Sequence, residues 1–581
     1  MSRVWFIDDL ARFNKECKTI ENLVEEVEWL QNATWAIEEA CLVLLATIKV
    51  GGCDYSIKMV YPTHFPAVPP TVYPQDLSQR WSEHQYLSGA LCLEWRPDTW
   101  HPSLSGAALL TSTHSLLKQE KALKEHEELI IPSEHRTTLG QNLRFKYLRL
   151  LAQSGLCSLV NSISAQETYY FDFFLNSPAE SFIAFITNVT NHDDCIVWQD
   201  ESLPAYIKES CFRGLVCHEI LSKRQIYSLN SVKDLLNYIS NIDIKIQKLA
   251  NFNKHWTGLL VFDLDDHIHF LLISLSNPHK LWRAETIILD SPRENLRLPS
   301  WSLFDNTKKI GIVGLGSVGS KVAVSLARSN VNNFFFVDDD ILLPENIYRN
   351  QLDWRYVGEH KVNAVKDSIE RILAVSNIET SVFNVGGQEP ASALERVLKK
   401  LSQCDLIIDT TADSLAFNLI SYTARQNQIP MIWGEVFGGG IGIFLARSRP
   451  GIEPSPQIMR SIFHEYLKNK EPISLHSQND PYTYEDNHRE IMAATDSEVS
   501  VLASFLAKMV LDVLANGASS HFPYPMYIVG LQKQWFFTAP FHTIPISMDS
   551  LKNEPKIDEI TSEIEKSSLL LLKEIISQKL P

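Results

Sequence analysis

The 581-residue sequence contains no Cys-x-x-Cys pair, no internal repeat and no apolar run approaching the ~20 residues that span a bilayer. Each absence excludes a class. Without cysteines paired at that spacing, a structural zinc site of the usual kind is not expected. The nine cysteines, at positions 17, 41, 53, 92, 157, 195, 211, 217 and 404, are odd in number and irregular in spacing, so they do not form a disulfide framework. The longest apolar stretch near the N-terminus, Cys41 to Val50, is far too short to cross a membrane. The opening MSRVWFIDDL carries acids and no long apolar run, so it does not read as a secretory signal. A cytoplasmic protein without a membrane segment is expected. An excess of basic charge is also missing. The 53 Lys and Arg against 69 Asp and Glu leave a formal charge of −16. Binding a phosphate backbone needs clustered Lys and Arg, so nucleic acid is not expected as the main partner.

What remains is the composition of a globular chain, 45% apolar and 21% charged. At roughly 100–200 residues per domain, such a length calls for three or four domains. Changes of texture place the boundaries at 1–130, 131–300, 301–545 and 546–581. The first part starts with helical spacing, passes through strand-like apolar runs and a Pro-rich stretch from Tyr61 to Pro74, and closes on the charged segment Lys118 to Glu128. The second alternates short apolar runs with polar turns, which reads as a mixed α/β domain, and carries no chemical motif. The third alternates strand and helix over residues 308–430, which predicts a parallel, doubly wound sheet. The last holds SEIEKSSLLLLKEIISQ, an amphipathic helix of the docking kind. The fold class expected is therefore α/β multidomain.

Within the third part, Gly314-Leu-Gly316-Ser-Val-Gly319 follows a strand and opens a helix. Glycines there let the backbone turn tightly and approach a phosphate, and the helix N-terminus offers aligned N–H donors. Asp338 ends the next strand, where a carboxylate accepts hydrogen bonds from a ribose. This pattern alone serves NAD or ATP. The run VDDDILLPENIYRNQL, Val337 to Leu352, together with Gly358-Glu-His-Lys361, separates them. It resembles the ThiF/MoeB/ubiquitin-activating superfamily of adenylating domains, closely over about residues 305–435. The matching positions are Asp338, Asn346, Arg349 and Lys361. Asn350 departs from the family, where many members have Gln. The resemblance implies a Rossmann-like domain that joins a carboxylate to the α-phosphate of ATP, with Arg349 and Lys361 as the cations facing the phosphates and Asn346 as a polar contact. It also implies Mg²⁺ held by an Asp just beyond the third strand. IIDTTADS offers Asp413 for this, with Asp409 as the alternative or as a turn-stabilising residue.

A second resemblance lies near the N-terminus. HQYLSGALCLEWRPDTWHPSL contains His84, Gly89, Cys92, Leu93, Trp100 and Pro102, with Trp-x-Pro beginning eight residues past the cysteine. This is similar to the ubiquitin-conjugating fold over about residues 20–120, an α+β domain. The resemblance implies that Cys92 carries an acyl group as a thioester. A thiolate is a strong nucleophile near neutral pH, and its thioester stays reactive toward amines. The family Asn before the cysteine is missing. Gln85 and Tyr86 sit nearby, and no residue is assigned to the oxyanion.

No cysteine follows Cys404, which precedes a buried strand and reads as packing. Activating enzymes usually hold a second catalytic cysteine in a crossover loop, here residues 447–497. Two routes follow: direct attack by Cys92 on the acyl-adenylate, from the same chain or a dimer partner, or an ester on a Ser or Thr of that loop. The first is favoured, because an ordinary hydroxyl is a poor nucleophile without a base. A conjugating part, a middle part and an adenylating part in one chain resemble fused enzymes of bacterial anti-phage operons. That implies as partners a ubiquitin-like protein or a CBASS-type nucleotidyltransferase presenting its C-terminus, a target protein, and a second copy of the chain in a homodimer. The competing classes are an NAD-dependent oxidoreductase and a non-catalytic interaction protein with decayed motifs.

Overall fold

A computed structural model describes residues 4–81, 85–86, 88–125, 139–143, 146–160, 167–178, 181–209, 211–263, 267–276, 280–289, 307–470, 483–485, 491–548 and 568. His84, the end of the charged segment, residues 131–138 and, Ser568 apart, the C-terminal amphipathic segment lie outside the described residues. The backbone divides into two compact units, Met1–Thr137 and Thr138–Pro581.

In the first unit, helix α1 (Leu10–Glu26) is capped by Asp9, whose carboxylate accepts from the Arg12 N–H at 2.9 Å. A four-stranded antiparallel meander follows: β1 (Leu30–Glu38), β2 (Cys41–Val50), β3 (Cys53–Tyr61) and β4 (Thr71–Pro74). Helix α2 (Gly106–Glu125) closes it. The β2–β3 turn is Gly51-Gly52, both at positive φ, the two-residue geometry that matches strand twist. Alternation sets the core face. Leu42, Leu44, Ala46, Ile48 and Val50 on β2, and Ile57, Met59 and Tyr61 on β3, are all buried.

The face that α1 buries is partly ionic. Arg12, Glu16 and Ile20 recur at helical spacing and are all buried. Arg12 pairs with Glu16 at 2.8 Å and donates to the carbonyls of Pro102, at 2.6 Å, and Leu104. Glu16 accepts from the Gly106 N–H at 2.8 Å and the Tyr61 hydroxyl at 3.1 Å. One buried carboxylate thus ties α1 to the segment running from Cys92 into α2. Burial pushes the Glu16 carboxyl above its ordinary range, against the pull of the Gly106 N–H and Arg12. Its contribution to stability therefore falls as pH rises from the ordinary carboxylate range through the raised folded value. Glu16→Ala leaves a buried guanidinium, phenol and N–H without their shared acceptor. A loss of about 3–5 kcal/mol in denaturant unfolding of this unit is expected; a loss under about 1 kcal/mol, the size of a surface pair, would contradict the reading.

The second unit holds two large sheets and, among its described residues, a two-stranded ribbon of Thr483–Glu485 against Ile491–Ala493. The first comprises β5 (Leu148–Gln153), β6 (Tyr170–Asn176), β7 (Phe182–Thr190), β8 (Ile196–Gln199), β9 (Phe212–Leu221), β10 (Trp256–Asp263), β11 (Ile268–Ser274), β12 (Leu281–Arg283) and β13 (Glu285–Leu289). Its path runs β12-β11-β10-β9-β6-β7-β5-β13, with β8 on β7. Only Ala284 separates β12 from β13, so the sheet closes on itself through the segment 281–289. Phe171, Phe173, Phe270 and Leu260 belong to one buried cluster of this sheet. The helix Ile242–Ala250 belongs to another, through Ile242, Ile246 and Leu249.

The second sheet consists of β14 (Ile310–Val313), β15 (Asn333–Val337), β16 (Asn377–Ser381), β17 (Leu406–Asp409), β18 (Met431–Phe437), β19 (Gly442–Ser448), β20 (Met526–Gly530) and β21 (Thr543–Ile546). Its order is β16-β15-β14-β17-β18-β19-β20-β21, with the first five strands parallel. Near-continuous apolar strands such as Ile310–Val313 are those of a sheet covered on both faces. The helices Ser317–Arg328, Lys361–Glu370 and Asp496–Asn516 contribute to one of its two buried clusters. Those at Ala391–Leu401, Ser414–Gln426 and Pro456–Lys468 contribute to the other. Chain order reverses between β14 and β17, which is where such sheets bind ligands. The helix Lys361–Glu370 stops short of the helical pattern in the sequence, which runs on to Val375. The segment 447–497, expected as a loop, includes the end of β19 and the helix Pro456–Lys468.

Candidate functional site

At the carboxyl ends of β14, β15 and β17 lies a cleft of about 430 Å³. Gly314, Gly316, Asp338, Asn346, Arg349, Lys361 and Asp413 all line it. Residues spread over 100 positions of sequence thus meet at one point of the sheet. Gly319 does not line the cleft. A Cβ there would stand 1.9 Å from the Gly314 carbonyl oxygen and 2.6 Å from Thr410 Oγ1, so its glycine is needed for the helix to approach the turn. Gly314 has φ +85° and donates to the Val337 carbonyl at 2.9 Å, while a Cβ on Gly316 would meet nothing within 4 Å. One glycine makes the turn, one leaves space, and one permits packing.

Asp338 accepts from the Leu315 N–H at 2.5 Å and the Asp340 N–H at 2.9 Å, so it buttresses the glycine turn. Burial raises its pKa, and those two N–H groups oppose the rise. Lys361 is nearly buried and donates to Asp340 at 2.6 Å. Asn346 accepts from the Leu343 N–H at 2.9 Å and shapes the short helical turn Pro344–Tyr348 that ends at Arg349. Asp413 caps the helix Ser414–Gln426, one carboxylate oxygen accepting from the Ala416 N–H at 2.7 Å. Asp409 is inside the protein, pushed up to about 6 by burial, and accepts from the Thr411 N–H and hydroxyl. Between them Ala412 takes φ +55°.

Five further residues of the cleft were not assigned from sequence. Asn350, the departure from the family pattern, is buried and donates to the carbonyls of Leu315 and Gly316 at 3.3 and 3.2 Å. Thr410 donates to the Gly314 carbonyl at 2.6 Å. Phe383, Asn384 and Val385 form a wall beyond β16. The place of Asn350 directly after Arg349 was the available signal. Nothing in the local pattern marks Phe383.

In the first unit, Cys92 is half-buried between buried Leu91 and Leu93. Its thiol donates to the Tyr86 hydroxyl at 3.6 Å. Tyr86 is half exposed, yet it is pushed up to about 12, first by partial desolvation of its hydroxyl and then by its bond with Cys92. Arg96 also interacts with Cys92, though Asp98 is its main partner, with Nε to Oδ1 at 3.2 Å. Gln85 shapes the loop: its amide donates to the Gly89 and Gln79 carbonyls at 2.8 and 3.2 Å and accepts from the Trp81 N–H at 3.0 Å. Trp100 donates its indole N–H to the Pro66 carbonyl at 2.8 Å, and Pro102 accepts from Arg12. Cys404 is buried, its thiol pushed up to about 12 by burial, as a packing residue should be. Thr495 spends its hydroxyl capping the helix Asp496–Asn516.

No group of three or more His, Cys, Asp or Glu side chains able to hold a metal occurs among the described residues. None of the described helices is long and apolar enough to cross a membrane.

Residues 305–535 match the ThiF family. An uncharacterized protein y4oA of Sinorhizobium fredii is 30% identical over 164 residues, covering 27% of this chain and 28% of that protein. The ATP-dependent ubiquitin transferase-like protein Cap2 of Enterobacter hormaechei is 28% identical over 145 residues, covering 23% of each. The chain thus matches between a fifth and a third of the length of these relatives. The crystal structure of E. coli MccB with ATP aligns with a TM-score of 0.30 at 16% identity, covering 42% of this chain and 64% of that one. The C-terminal part of this multidomain α/β chain, residues 305–535, is a ThiF family domain with a Rossmann-like sheet.

Proposed function

We propose that this chain uses ATP to activate the C-terminal carboxylate of a ubiquitin-like protein, or of a nucleotidyltransferase presenting its own C-terminus, and carries it as a thioester on Cys92. The carrying observation is the convergence of Gly314, Gly316, Asp338, Asn346, Arg349, Lys361 and Asp413 on one cleft at the switch point of a ThiF domain. In this reading the glycine turn and the helix N-terminus at Ser317 receive phosphate oxygens. Asp338 stands where a ribose is held, and Phe383 to Val385 offer a wall for the base. The partner's carboxylate oxygen attacks the α-phosphorus, the P–O bond to the β-phosphate breaks, and pyrophosphate leaves. Arg349 and Lys361 stabilise the charge that builds on the phosphate oxygens. Lys361 exchanges Asp340 for a phosphate in this step.

The donor set suits Mg²⁺. That ion takes one or two carboxylates, several waters and substrate phosphates rather than a protein cage. Asp413 provides a hard oxygen at the cleft, and its second carboxylate oxygen has no hydrogen-bond partner among the described residues. Bound there, Mg²⁺ would neutralise phosphate charge.

In the second step the Cys92 thiolate attacks the acyl carbon, the C–S bond forms, and AMP leaves with the electron pair of the broken C–O bond. The first unit supports this part through its order: helix, four-stranded meander, a cysteine loop, helix. That is the order of a ubiquitin-conjugating domain, and residues 1–130 are assigned to it. Residues 131–300 are read as linker and middle domain, 301–545 as the adenylating domain and 546–581 as a helical tail. Direct transfer to Cys92 is the favoured route, because an ordinary hydroxyl is a poor nucleophile without a base. A homodimer is carried as part of this reading, and the final acceptor is an amine of a target protein.

The reading is tested by exchange of labelled pyrophosphate into ATP. Exchange is expected only with a partner protein whose C-terminal carboxylate is intact and with Mg²⁺ present. Exchange independent of any acyl partner, or hydride transfer to NAD, would overturn it.

A further inference from the structure

Nothing in the family resemblance supplies an oxyanion donor at Cys92, because the expected Asn is missing. Gln85 sits nearest in sequence, yet both its amide hydrogens are committed, to the Gly89 and Gln79 carbonyls. Arg96 is held by Asp98 through two hydrogen bonds, at 3.2 and 3.3 Å, and also reaches Cys92. Tyr86 differs from Gln85. Three hydrogen bonds pin its backbone: its N–H donates to Ala90, its carbonyl accepts from Gly89, and Arg80 donates to that carbonyl at 2.7 Å. Its hydroxyl bonds only to Cys92 among the described residues.

From this geometry we infer that Tyr86 is a catalytic residue, its phenol donating a hydrogen bond to the acyl oxygen while a tetrahedral centre exists on the Cys92 sulfur. The inference rests on the thioester reading above. An acyl carbon bonded to Sγ places its oxygen within the sphere that the hydroxyl already reaches. A phenol titrating near 12 remains protonated at neutral pH and so remains a donor.

In discharge, an acceptor amine attacks the thioester carbon and the C–N bond forms. The carbonyl π pair moves to oxygen, where Tyr86 stabilises it. Collapse restores C=O and breaks C–S, the pair returning to sulfur as thiolate. The proton on the new nitrogen passes to water or buffer. The same oxyanion forms when Cys92 is loaded.

The test is single-turnover discharge of the charged enzyme onto hydroxylamine in Tyr86→Phe. A fall of roughly 10²-fold is expected, the effect of deleting one oxyanion donor. Alkylation of uncharged Cys92 by iodoacetamide forms no oxyanion. It should change by no more than roughly tenfold, the worth of one hydrogen bond. A matching melting temperature excludes unfolding. Gln85→Ala, which removes loop support but no donor, should slow alkylation and discharge by similar factors. Discharge of Tyr86→Phe at the wild-type rate overturns the role of Tyr86 and leaves the thioester reading standing. Equal losses in discharge and alkylation in Tyr86→Phe overturn it too, because they mark a purely structural effect. A wild-type enzyme that never forms a thiol-labile adduct overturns the underlying reading, and this inference with it.

Discussion

Arg349→Ala is expected to lower ATP–pyrophosphate exchange by roughly 10³-fold, the upper effect of removing a preorganised donor from developing charge. Arg349 lines the cleft at the end of the turn Pro344–Tyr348. The turn is held by main-chain bonds and by the Asn346 carboxamide, which accepts from the Leu343 N–H. The Arg349 N–H, which donates to the Asn346 carbonyl at 3.0 Å, survives the substitution. The loss should therefore appear in turnover without a drop in unfolding temperature. Full exchange activity in the variant would show that the phosphate role assigned to Arg349 is wrong. A folded variant with raised KM for ATP and unchanged kcat would place Arg349 in ground-state binding alone.

The second large effect concerns the thiol. Cys92→Ala should retain pyrophosphate exchange and lose every thiol-labile adduct, with transfer to an amine falling to the uncatalysed background. The two losses separate because the proposed chemistry has two stages with different leaving groups. Adenylation releases pyrophosphate in the second unit. Acyl transfer releases AMP and calls for a reactive thiol, whereas the cysteine of the ThiF domain, Cys404, is buried and raised in pKa. A Cys92→Ala protein that still carries an acyl group would move the acceptor to another residue.

The glycine turn, the apolar strands and the helices that alternate with them were legible because each depends on short-range rules. Buried strands need continuous apolar residues, and a tight turn needs glycine. That Arg349, Lys361 and Asp413 belong beside one cleft could be read only from family resemblance, since one charged residue in a loop carries no local signal. The cleft itself depends on sheet order, which brings positions 314 and 413 together across β14 and β17. Long-range closure hid other features. No periodicity announces that the middle sheet closes through Ala284, because the rule broken there is which strand pairs with which. Nothing in the sequence marks the pair Arg12–Glu16 as buried, and only packing against Pro102, Leu104 and Gly106 reveals it. The early end of the helix at Glu370 has a similar origin. Residues 371–375 continue the helical pattern, but the chain must turn to enter β16 at Asn377.

The central claim is that the activated acyl group reaches Cys92. Its most direct test is to incubate the full chain with ATP, Mg²⁺ and an acyl partner, quench in acid, and map the adduct by mass spectrometry before and after thiol treatment. The account predicts one thiol-labile adduct, on the peptide containing Cys92. An adduct on a hydroxyl residue between 447 and 497 that survives thiol would contradict it, as would exchange-competent enzyme with no adduct at all.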